Sequence, residues 1–136
     1  MLYVTRREVF SSAHRLHNEE LSDEENFEIF GKCNSANGHG HNYVLEVVVA
    51  GNIDSKTGYV IDLKQLKNII KDNIIKKVDH KNLNYDVDFL EGINPTTENV
   101  IVAFWKELEN KIPNGKLYSL KLYETENNYV EYKGEK

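Results

Sequence analysis

Two histidines that stand two positions apart, His39 and His41, lie between a glycine-rich loop and the most apolar segment of the chain, residues 44–50. Side chains alternate along a β-strand, so both imidazoles point to one face if a strand begins this early. That face continues as large apolar side chains, at Tyr43, Leu45, Val47 and Val49. Two imidazoles at the end of an apolar surface form part of a zinc site, which needs at least one more ligand.

The third ligand is expected to be His14, which ends the first predicted strand, residues 2–13. This strand is expected to pair with the strand that follows His41, and the pairing would bring all three imidazoles to one end of a sheet. His17 is a competitor, but it lies beyond the strand in a polar segment. Three imidazoles leave the fourth coordination position of a zinc ion open, as catalysis requires.

The only cysteine, Cys33, lies in the polar loop that leads to the two histidines. It is either a small buried hydrophobic residue or a base, because a thiol near a cation or an imidazole readily forms a thiolate. Asp79 and His80 place a carboxylate beside an imidazole in another predicted loop. The carboxylate can orient the imidazole, which can take the thiol proton. Taken alone, Asp79 is also explained as a turn residue.

Glu124 shares a face of the predicted strand 116–124 with two apolar residues, Leu120 and Leu122. Burying a carboxylate is costly unless the group is paired. A flat ligand with two adjacent N–H groups would pair with both carboxylate oxygens. The alternative is an internal ion pair with a lysine such as Lys121, although that side chain faces the opposite way.

The order of predicted elements is strand, long insertion, strand, helix, helix, strand, strand, which indicates the α+β class. Asp62 and Thr96 are expected to cap the two helices, and Ser22 begins a capping box for a short helix through Ile29. We expect a four-stranded antiparallel sheet with the two helices on one face. The unpaired edges of such a sheet predict an oligomer that closes them.

The length of 136 residues fits one domain over residues 1–136. A hydrophobic content of 40% and a charged content of 29% are typical of soluble globular proteins. The net charge is −5 and the basic residues are scattered, which argues against a nucleic-acid partner. One cysteine, no apolar run of membrane-spanning length and no signal peptide predict a cytoplasmic protein without a membrane partner.

Taken together, these residues resemble the 6-pyruvoyl-tetrahydropterin synthase family over nearly the whole chain. The segments that carry the resemblance are residues 10–16, 30–34, 38–43, 78–83, 96–100 and 123–125, with the helix that begins at Leu63. Each segment alone is a weak signal, whereas all of them in this order are specific. The resemblance implies a T-fold, in which trimers close their sheets into a barrel and two trimers stack into a hexamer with sites between subunits.

The resemblance also implies a role for each candidate residue. The implied zinc ligands are His14, His39 and His41. The implied catalytic residues are Cys33 as general base, Asp79 and His80 as its relay, and Glu124. The implied pterin-binding residues are Thr96, Thr97, Glu98 and Glu124, of which Glu124 anchors the guanidine-like edge of the ring.

The implied reaction converts 7,8-dihydroneopterin triphosphate to 6-pyruvoyl-tetrahydropterin with loss of triphosphate, in tetrahydrobiopterin biosynthesis. The redox change is internal to the substrate, so no nicotinamide or flavin is expected, and Mg²⁺ would arrive with the triphosphate. One alternative is the 6-carboxytetrahydropterin synthase of the queuosine pathway. That group typically has Cys-x-x-x-His-Gly-His, whereas five residues separate Cys33 from His39 here. The other alternative is a zinc- and pterin-binding protein without turnover, which would need neither Cys33 nor the Asp79–His80 pair.

Overall fold

A computed structural model describes residues 1–135 of the chain, so the predicted domain boundary at residue 136 lies outside the described residues. Its strands are β1 (Leu2–His14), β2 (His39–Gly51), β3 (Lys81–Asn82), β4 (Lys116–Thr125) and β5 (Asn128–Tyr132). Its α-helices are α1 (Asp23–Phe30), α2 (Leu63–Ile70), α3 (Lys76–Val78) and α4 (Thr97–Leu108). Short 3₁₀ turns span Gly31–Asn34 and Asp88–Leu90, and a π-helical turn, Lys71–Ile75, joins α2 to α3.

The sheet has the order β3-β1-β2-β4-β5, and the pairs β1–β2, β2–β4 and β4–β5 are antiparallel. The two longest strands, β1 and β2, pair over their whole length, from Leu2 opposite Gly51 to His14 opposite His39. The architecture is therefore α+β, as the sequence predicts, and the first and second predicted strands are neighbours.

The sheet has five strands among residues 1–135, and the prediction of four antiparallel strands is incomplete in this respect. The fifth, β3, has two residues and runs parallel to β1 beside Ser12 and Ala13. Leu83 is fully buried and its N–H donates to the carbonyl of Ala13 at 2.8 Å, which draws this segment along the sheet edge. A strand of two residues is too short to show an alternation of apolar and polar side chains, so the sequence indicates only a loop.

The helices α2, α3 and α4 cover one face of the sheet, and their apolar sides share one core with the inward side chains of the strands, whereas α1 adds no residue to this core. Both predicted helix starts are present: Asp62 accepts a hydrogen bond from the N–H of Lys64, and Thr96 accepts one from the N–H of Asn99. The π-helical turn was not predicted. It adds a residue to one turn, and Ile74 and Ile75 within it are both buried.

The opposite face of the sheet carries large side chains that a single chain leaves exposed. Tyr3 is 56% exposed, Val9 53% and Tyr129 51%. Among residues 1–135, β3 covers β1 only at Ser12 and Ala13, so most of that edge is unpaired. Closure of such edges into an oligomeric barrel stays a prediction. None of the helices in this part of the chain has both the length and the apolar character needed to cross a membrane.

Glu8, six residues before His14 on β1, links this strand to the π-helical turn that follows α2. Its side chain is 6% exposed, accepts a hydrogen bond from Nε of Arg6 at 2.8 Å and lies 3.1 Å from Nζ of Lys71. Burial alone would raise the pKa of Glu8, but the hydrogen bonds from Arg6 and Lys71 outweigh burial and lower it. The buried carboxylate is therefore charged and paired at neutral pH.

We predict that Glu8→Gln lowers the free energy of unfolding at pH 7 by about 1–3 kcal/mol, the range for hydrogen bonds to charged groups. The pKa of Glu8 is lower in the folded chain, so its charge stabilises the fold fully above the unfolded value of about 4.3. That contribution is lost as the pH falls through the folded pKa. Urea denaturation at several pH values should therefore show the difference between variant and wild type shrinking below about pH 4.

The matched control is Glu19→Gln, because Glu19 is an exposed carboxylate in the β1–α1 connection. It should change the free energy of unfolding by less than about 0.5 kcal/mol at any pH. If Glu8→Gln lowers the free energy of unfolding by the same amount at pH 7 and at pH 3, the ionic role of Glu8 is contradicted.

Candidate active site

Three imidazoles meet at the end of the β1–β2 pair, on the face that the helices cover. His14 and His39 are register partners, and His41 is two residues further along β2. The ring centroids are 4.8 Å apart for His14 and His39, 4.7 Å for His39 and His41, and 5.2 Å for His14 and His41. The structure thus brings together the three histidines that the strand pairing predicts, and we refer to them as the histidine cluster.

Each ring of the histidine cluster carries one nitrogen that has no hydrogen-bond partner: Nε2 of His14, Nδ1 of His39 and Nε2 of His41. Within residues 1–135 these are the only buried side-chain nitrogen or oxygen atoms in this condition. Nδ1 of His14 donates to the carbonyl of Pro95 at 2.8 Å, which leaves Nε2 as the nitrogen with a free lone pair. A buried nitrogen without a partner destabilises the fold. A metal ion bound by the three nitrogens would supply that partner, so this set of donors fits a metal ion.

Burial favours the neutral form of two of these imidazoles, those of His14 and His41. The pKa of His14 is lowered mainly by burial, against the Pro95 carbonyl and Glu124, which favour the charged form. The pKa of His41 is lowered for the same first reason, again against Glu124. The neutral ring is the form that binds metals, so the electrostatics of the histidine cluster agree with its geometry.

Glu124 adds a carboxylate to the histidine cluster, and one ligand atom from each of the four side chains lies within 4.8 Å of the others. Oε1 of Glu124 is 3.1 Å from Nε2 of His41, but the contact lacks the geometry of a hydrogen bond. Oε2 accepts a hydrogen bond from the hydroxyl of Thr97, which is buried at the first turn of α4. The group could therefore hold a metal with three nitrogen ligands and, at most, one carboxylate oxygen.

The other two residues of the predicted pterin-binding segment differ in their surroundings. Thr96 caps α4 through its bond to the N–H of Asn99 at 3.1 Å, and Glu98 is exposed. The alternative partner of Glu124, Lys121, lies 5.5 Å from the ring centroid of Tyr129 instead. The carboxylate is thus paired with Thr97 rather than with a lysine.

Cys33 is half-buried in the turn Gly31–Asn34, which is fastened to the residues that follow His14. The carbonyl of Cys33 accepts a hydrogen bond from the N–H of Leu16 at 2.8 Å, and the amide of Asn34 donates to the Leu16 carbonyl at 2.8 Å. The pKa of Tyr43, one layer below the histidine cluster, is raised by burial and then by the charges of Glu124 and Cys33. The turn that holds Cys33 is thus fastened directly to the segment that follows His14.

His17 is not part of the histidine cluster. Its Nδ1 accepts a hydrogen bond from the amide of Asn34 at 2.8 Å, and it joins no metal-ligating group among residues 1–135. Gly38, just before the cluster, has a φ of +73°, and a side chain there would put Cβ 2.8 Å from the carbonyl oxygen of His14. Only glycine allows this approach, which sets His39 opposite His14.

Asp79 and His80 lie beside β1 and are held by the backbone of Ser11. The N–H of Ser11 donates to Oδ1 of Asp79 at 2.9 Å, and the N–H of His80 donates to the Ser11 carbonyl at 2.6 Å. Nδ1 of His80 is 3.1 Å from Oδ1 of Asp79. The pKa of Asp79 is lowered by the bond from Ser11 and by His80, so the carboxylate is charged and orients the imidazole.

The Asp79–His80 pair lies outside the histidine cluster, on the backbone of Ser11 at the edge of β1. His80 is 82% exposed and lines a cleft of about 460 Å³, and the other lining residues include Ser11, Asn42 and His41, which is a member of the histidine cluster. The side chains of Ser11 and Asn42 are paired opposite each other in register and alternate with those of the cluster, so they lie on the open face. Among residues 1–135, Asp79 contacts His80 and Ser11, and the relay from this pair to Cys33 stays a prediction.

The model of the family described as 6-pyruvoyl tetrahydropterin synthase matches residues 3–135 of this chain. The chain belongs to this family. It is 52% identical over 132 residues to the human 6-pyruvoyl tetrahydrobiopterin synthase, covering 97% of this chain and 91% of the human protein. The solved structure of the Caenorhabditis elegans 6-pyruvoyl tetrahydropterin synthase superposes with a TM-score of 0.92 at 44% identity, covering 98% of this chain and 96% of the worm chain.

The chain is also similar to a member of the 6-carboxytetrahydropterin synthase group, which is the alternative activity. The 6-carboxy-5,6,7,8-tetrahydropterin synthase of Rickettsia typhi is 33% identical over 149 residues, covering 96% of this chain and 99% of that protein. The identity is lower than that of the human 6-pyruvoyl enzyme by 19 percentage points, 52 less 33. The family prediction is therefore confirmed, and the 6-pyruvoyl interpretation is favoured over the 6-carboxy alternative.

Two contacts of the site were not predicted. The carbonyl of Pro95 accepts the Nδ1–H of His14, and the hydroxyl of Tyr43 lies 3.3 Å from the same nitrogen. A backbone carbonyl leaves no signal in the sequence. Tyr43 follows the apolar alternation of β2, which hides the position of its hydroxyl.

We predict that His39→Ala removes bound zinc, whereas His17→Ala keeps it. Of these two histidines, only His39 has a buried nitrogen without a hydrogen-bond partner in the histidine cluster. Each protein should be loaded with zinc, dialysed and analysed for metal by elemental analysis. Loss of one of three imidazole ligands should reduce retention by at least an order of magnitude, whereas the His17 variant should match the wild type. Undiminished zinc in His39→Ala would remove His39 from the ligand set.

Proposed function

We propose that this chain converts 7,8-dihydroneopterin triphosphate to 6-pyruvoyl-tetrahydropterin and triphosphate, in the biosynthesis of tetrahydrobiopterin. The observation that carries the proposal is the convergence of three buried unpaired imidazole nitrogens beside the turn that holds Cys33. The 52% identity to the human 6-pyruvoyl tetrahydrobiopterin synthase supports the same activity. We also propose a single domain in a cytoplasmic setting, where the thiol of Cys33 stays reduced.

The metal that we propose is zinc, held by Nε2 of His14, Nδ1 of His39 and Nε2 of His41. Neutral imidazoles are common zinc ligands, and three of them leave room for a substrate oxygen. When bound, zinc would polarise the side-chain hydroxyls of the substrate and acidify the adjacent C–H bonds. Magnesium would accompany the triphosphate rather than occupy a site built from protein ligands alone.

Cys33 is proposed as the base that removes a proton from the substrate side chain and returns one to the ring. The side chain loses electrons and the ring gains them, while triphosphate leaves with the electron pair of its C–O bond. These changes balance within one molecule, so the protein needs to move only protons. The half-buried position of Cys33, in a turn fastened to the residues that follow His14, suits this role.

The Asp79–His80 pair is proposed to serve the Cys33 of a neighbouring subunit. Two observations support this arrangement: His80 is exposed at the edge of β1, and β1 leaves most of that edge unpaired among the described residues. Association of sheets would cover the exposed Tyr3, Val9 and Tyr129. We propose trimers that close a barrel and a hexamer built from two of them.

Glu124 is proposed to bind the N–H groups of the pterin ring, with Thr96, Thr97 and Glu98 nearby. Its exposed fraction of 28% allows a ligand to reach it, and Thr97 fixes one of its oxygens. A carboxylate with a defined orientation selects a flat partner that offers two parallel N–H groups. Glu124 would therefore bind the pterin ring of the substrate, whereas the histidine cluster would receive the side chain of the substrate.

The experiment that tests the proposed function is incubation of the zinc-loaded protein with 7,8-dihydroneopterin triphosphate, followed by mass spectrometry of the products. A 6-pyruvoyl product with release of triphosphate is expected. A 6-carboxy product would identify the rival synthase, and intact substrate would indicate a binding protein without turnover.

We predict that Cys33→Ala and His80→Asn each lower kcat by about two orders of magnitude, the scale for loss of a positioned proton-transfer group. Asn is chosen at position 80 because the residue has a φ of +61°, which Asn tolerates. Co-expression of the two variants should give activity well above that of either alone. The reason is that some sites would combine an intact Cys33 from one subunit with an intact His80 from another.

The control for the mixing experiment is co-expression of Cys33→Ala with Cys33→Ser, which leaves no site with a cysteine. Zinc content and melting temperature of each variant should match the wild type, because Cys33 and His80 are not ligands in the histidine cluster. A mixture no more active than its components would contradict the sharing of sites between subunits.

A further inference from the structure

Residues 15–17 follow β1 directly, and two asparagine side chains hold their backbone. The side chain of Asn84 accepts the N–H of Arg15 at 2.7 Å and donates to the Arg15 carbonyl at 2.9 Å. The side chain of Asn94 accepts the N–H of His17 at 3.1 Å. An asparagine amide offers the same donor and acceptor as a peptide group, so these bonds continue the backbone pairing beyond the end of β1.

The turn that contains Cys33 is fastened to the same segment, chiefly through Asn34. The N–H of Leu16 donates to the carbonyl of Cys33 at 2.8 Å. The backbone carbonyl of Asn34 accepts Nε–H of Arg15 at 3.0 Å. The side-chain amide of Asn34 donates to the Leu16 carbonyl and to Nδ1 of His17, each at 2.8 Å. Asn34 therefore contacts every residue of the segment.

Both hydrogens of the Asn34 amide are engaged, and this fixes the orientation of the amide. Its nitrogen is the donor because the Leu16 carbonyl can only accept, so Nδ1 of His17 is the acceptor of the second hydrogen. Loss of either acceptor would leave an N–H of a partly buried amide unpaired, which is destabilising. His17, which is not part of the histidine cluster, thus has a defined partner in the turn that holds Cys33.

We infer that Asn34 is the positioning residue for the thiol of Cys33, and that His17 holds the Asn34 amide in place. The inference rests on the proposed function, because it takes Cys33 to be the base. The bonds of Asn34 end on the residues that follow His14, so they relate the position of the thiol to that of a proposed zinc ligand. Proton transfer depends steeply on such placement.

The direct variant is Asn34→Asp, which keeps the size of the side chain but cannot donate the two hydrogens. In zinc-loaded protein, kcat for the 6-pyruvoyl product should fall by about tenfold or more, while KM changes by less than about threefold. Zinc content should match the wild type, because Asn34 is not in the histidine cluster. The matched control is Asn73→Asp, which should keep the wild-type kcat, because Asn73 donates to the Ile69 carbonyl in the helical layer.

Two variants of His17 separate the hydrogen bond from packing. His17→Asn keeps an acceptor oxygen close to the position of Nδ1, whereas His17→Leu fills the space without an acceptor. His17→Leu should lower kcat by about threefold or more, and His17→Asn should retain most of the wild-type value. Because His17 is only half-buried, both variants should fold. Their comparison therefore decides the inference even if Asn34→Asp does not fold.

A second measurement reports the placement of the thiol without turnover. Cys33 is the only cysteine, so mass spectrometry can follow its alkylation by iodoacetamide in metal-free protein. Loosening of the turn should expose the half-buried thiol and raise the alkylation rate by about threefold or more in Asn34→Asp and His17→Leu. The rate should match the wild type in His17→Asn and Asn73→Asp.

Unchanged kcat and alkylation rate in Asn34→Asp would overturn the inference, and so would equal values for His17→Leu and His17→Asn. A parallel loss of zinc and kcat would also overturn it, since Asn34 would then act through the metal site. If the wild type forms no 6-pyruvoyl product, the proposed function fails, whereas the alkylation rates still decide whether Asn34 positions the thiol.

Discussion

The pairing register of β1 with β2 is the constraint on which the site depends. His14 and His39 face each other at the last rung of the ladder, and His41 follows on the same side. Because side chains alternate, a shift of one residue would turn the imidazoles of one strand to the opposite face. Gly38 contributes to this register, since its backbone passes the carbonyl of His14 at a distance that no other residue could accept.

The end of β1 also positions the parts of the site that come from elsewhere in the chain. Leu16 holds the turn of Cys33 on one side, and Ser11 holds Asp79 and His80 on the other. The last residues of β1 and the segment that follows thus hold two different sets of chemical groups. The sharing of sites between subunits proposed above would combine these two sets from different copies of the chain.

Sequence reasoning predicted the parts of the molecule that follow from local pattern. The alternation after His41, the caps at Asp62 and Thr96 and the capping box at Ser22 each follow from residue type and spacing, and the structure has them all. The two-residue strand β3 and the π-helical turn were not predictable, because neither has a period to read. The contact between Glu124 and His41 also has no local signal, since it joins two strands through tertiary packing.

His80 is the one residue other than glycine, among residues 1–135, whose backbone has a positive φ. Such a conformation costs an L-residue about 1 kcal/mol or more, and the hydrogen bonds to Ser11 offset part of that cost. Glycine would adopt the same backbone without strain, but it carries no imidazole. Thermostability and the proposed chemistry therefore favour different residues at this position, so a search for stabilising substitutions would select glycine here and lose the imidazole of the proposed relay.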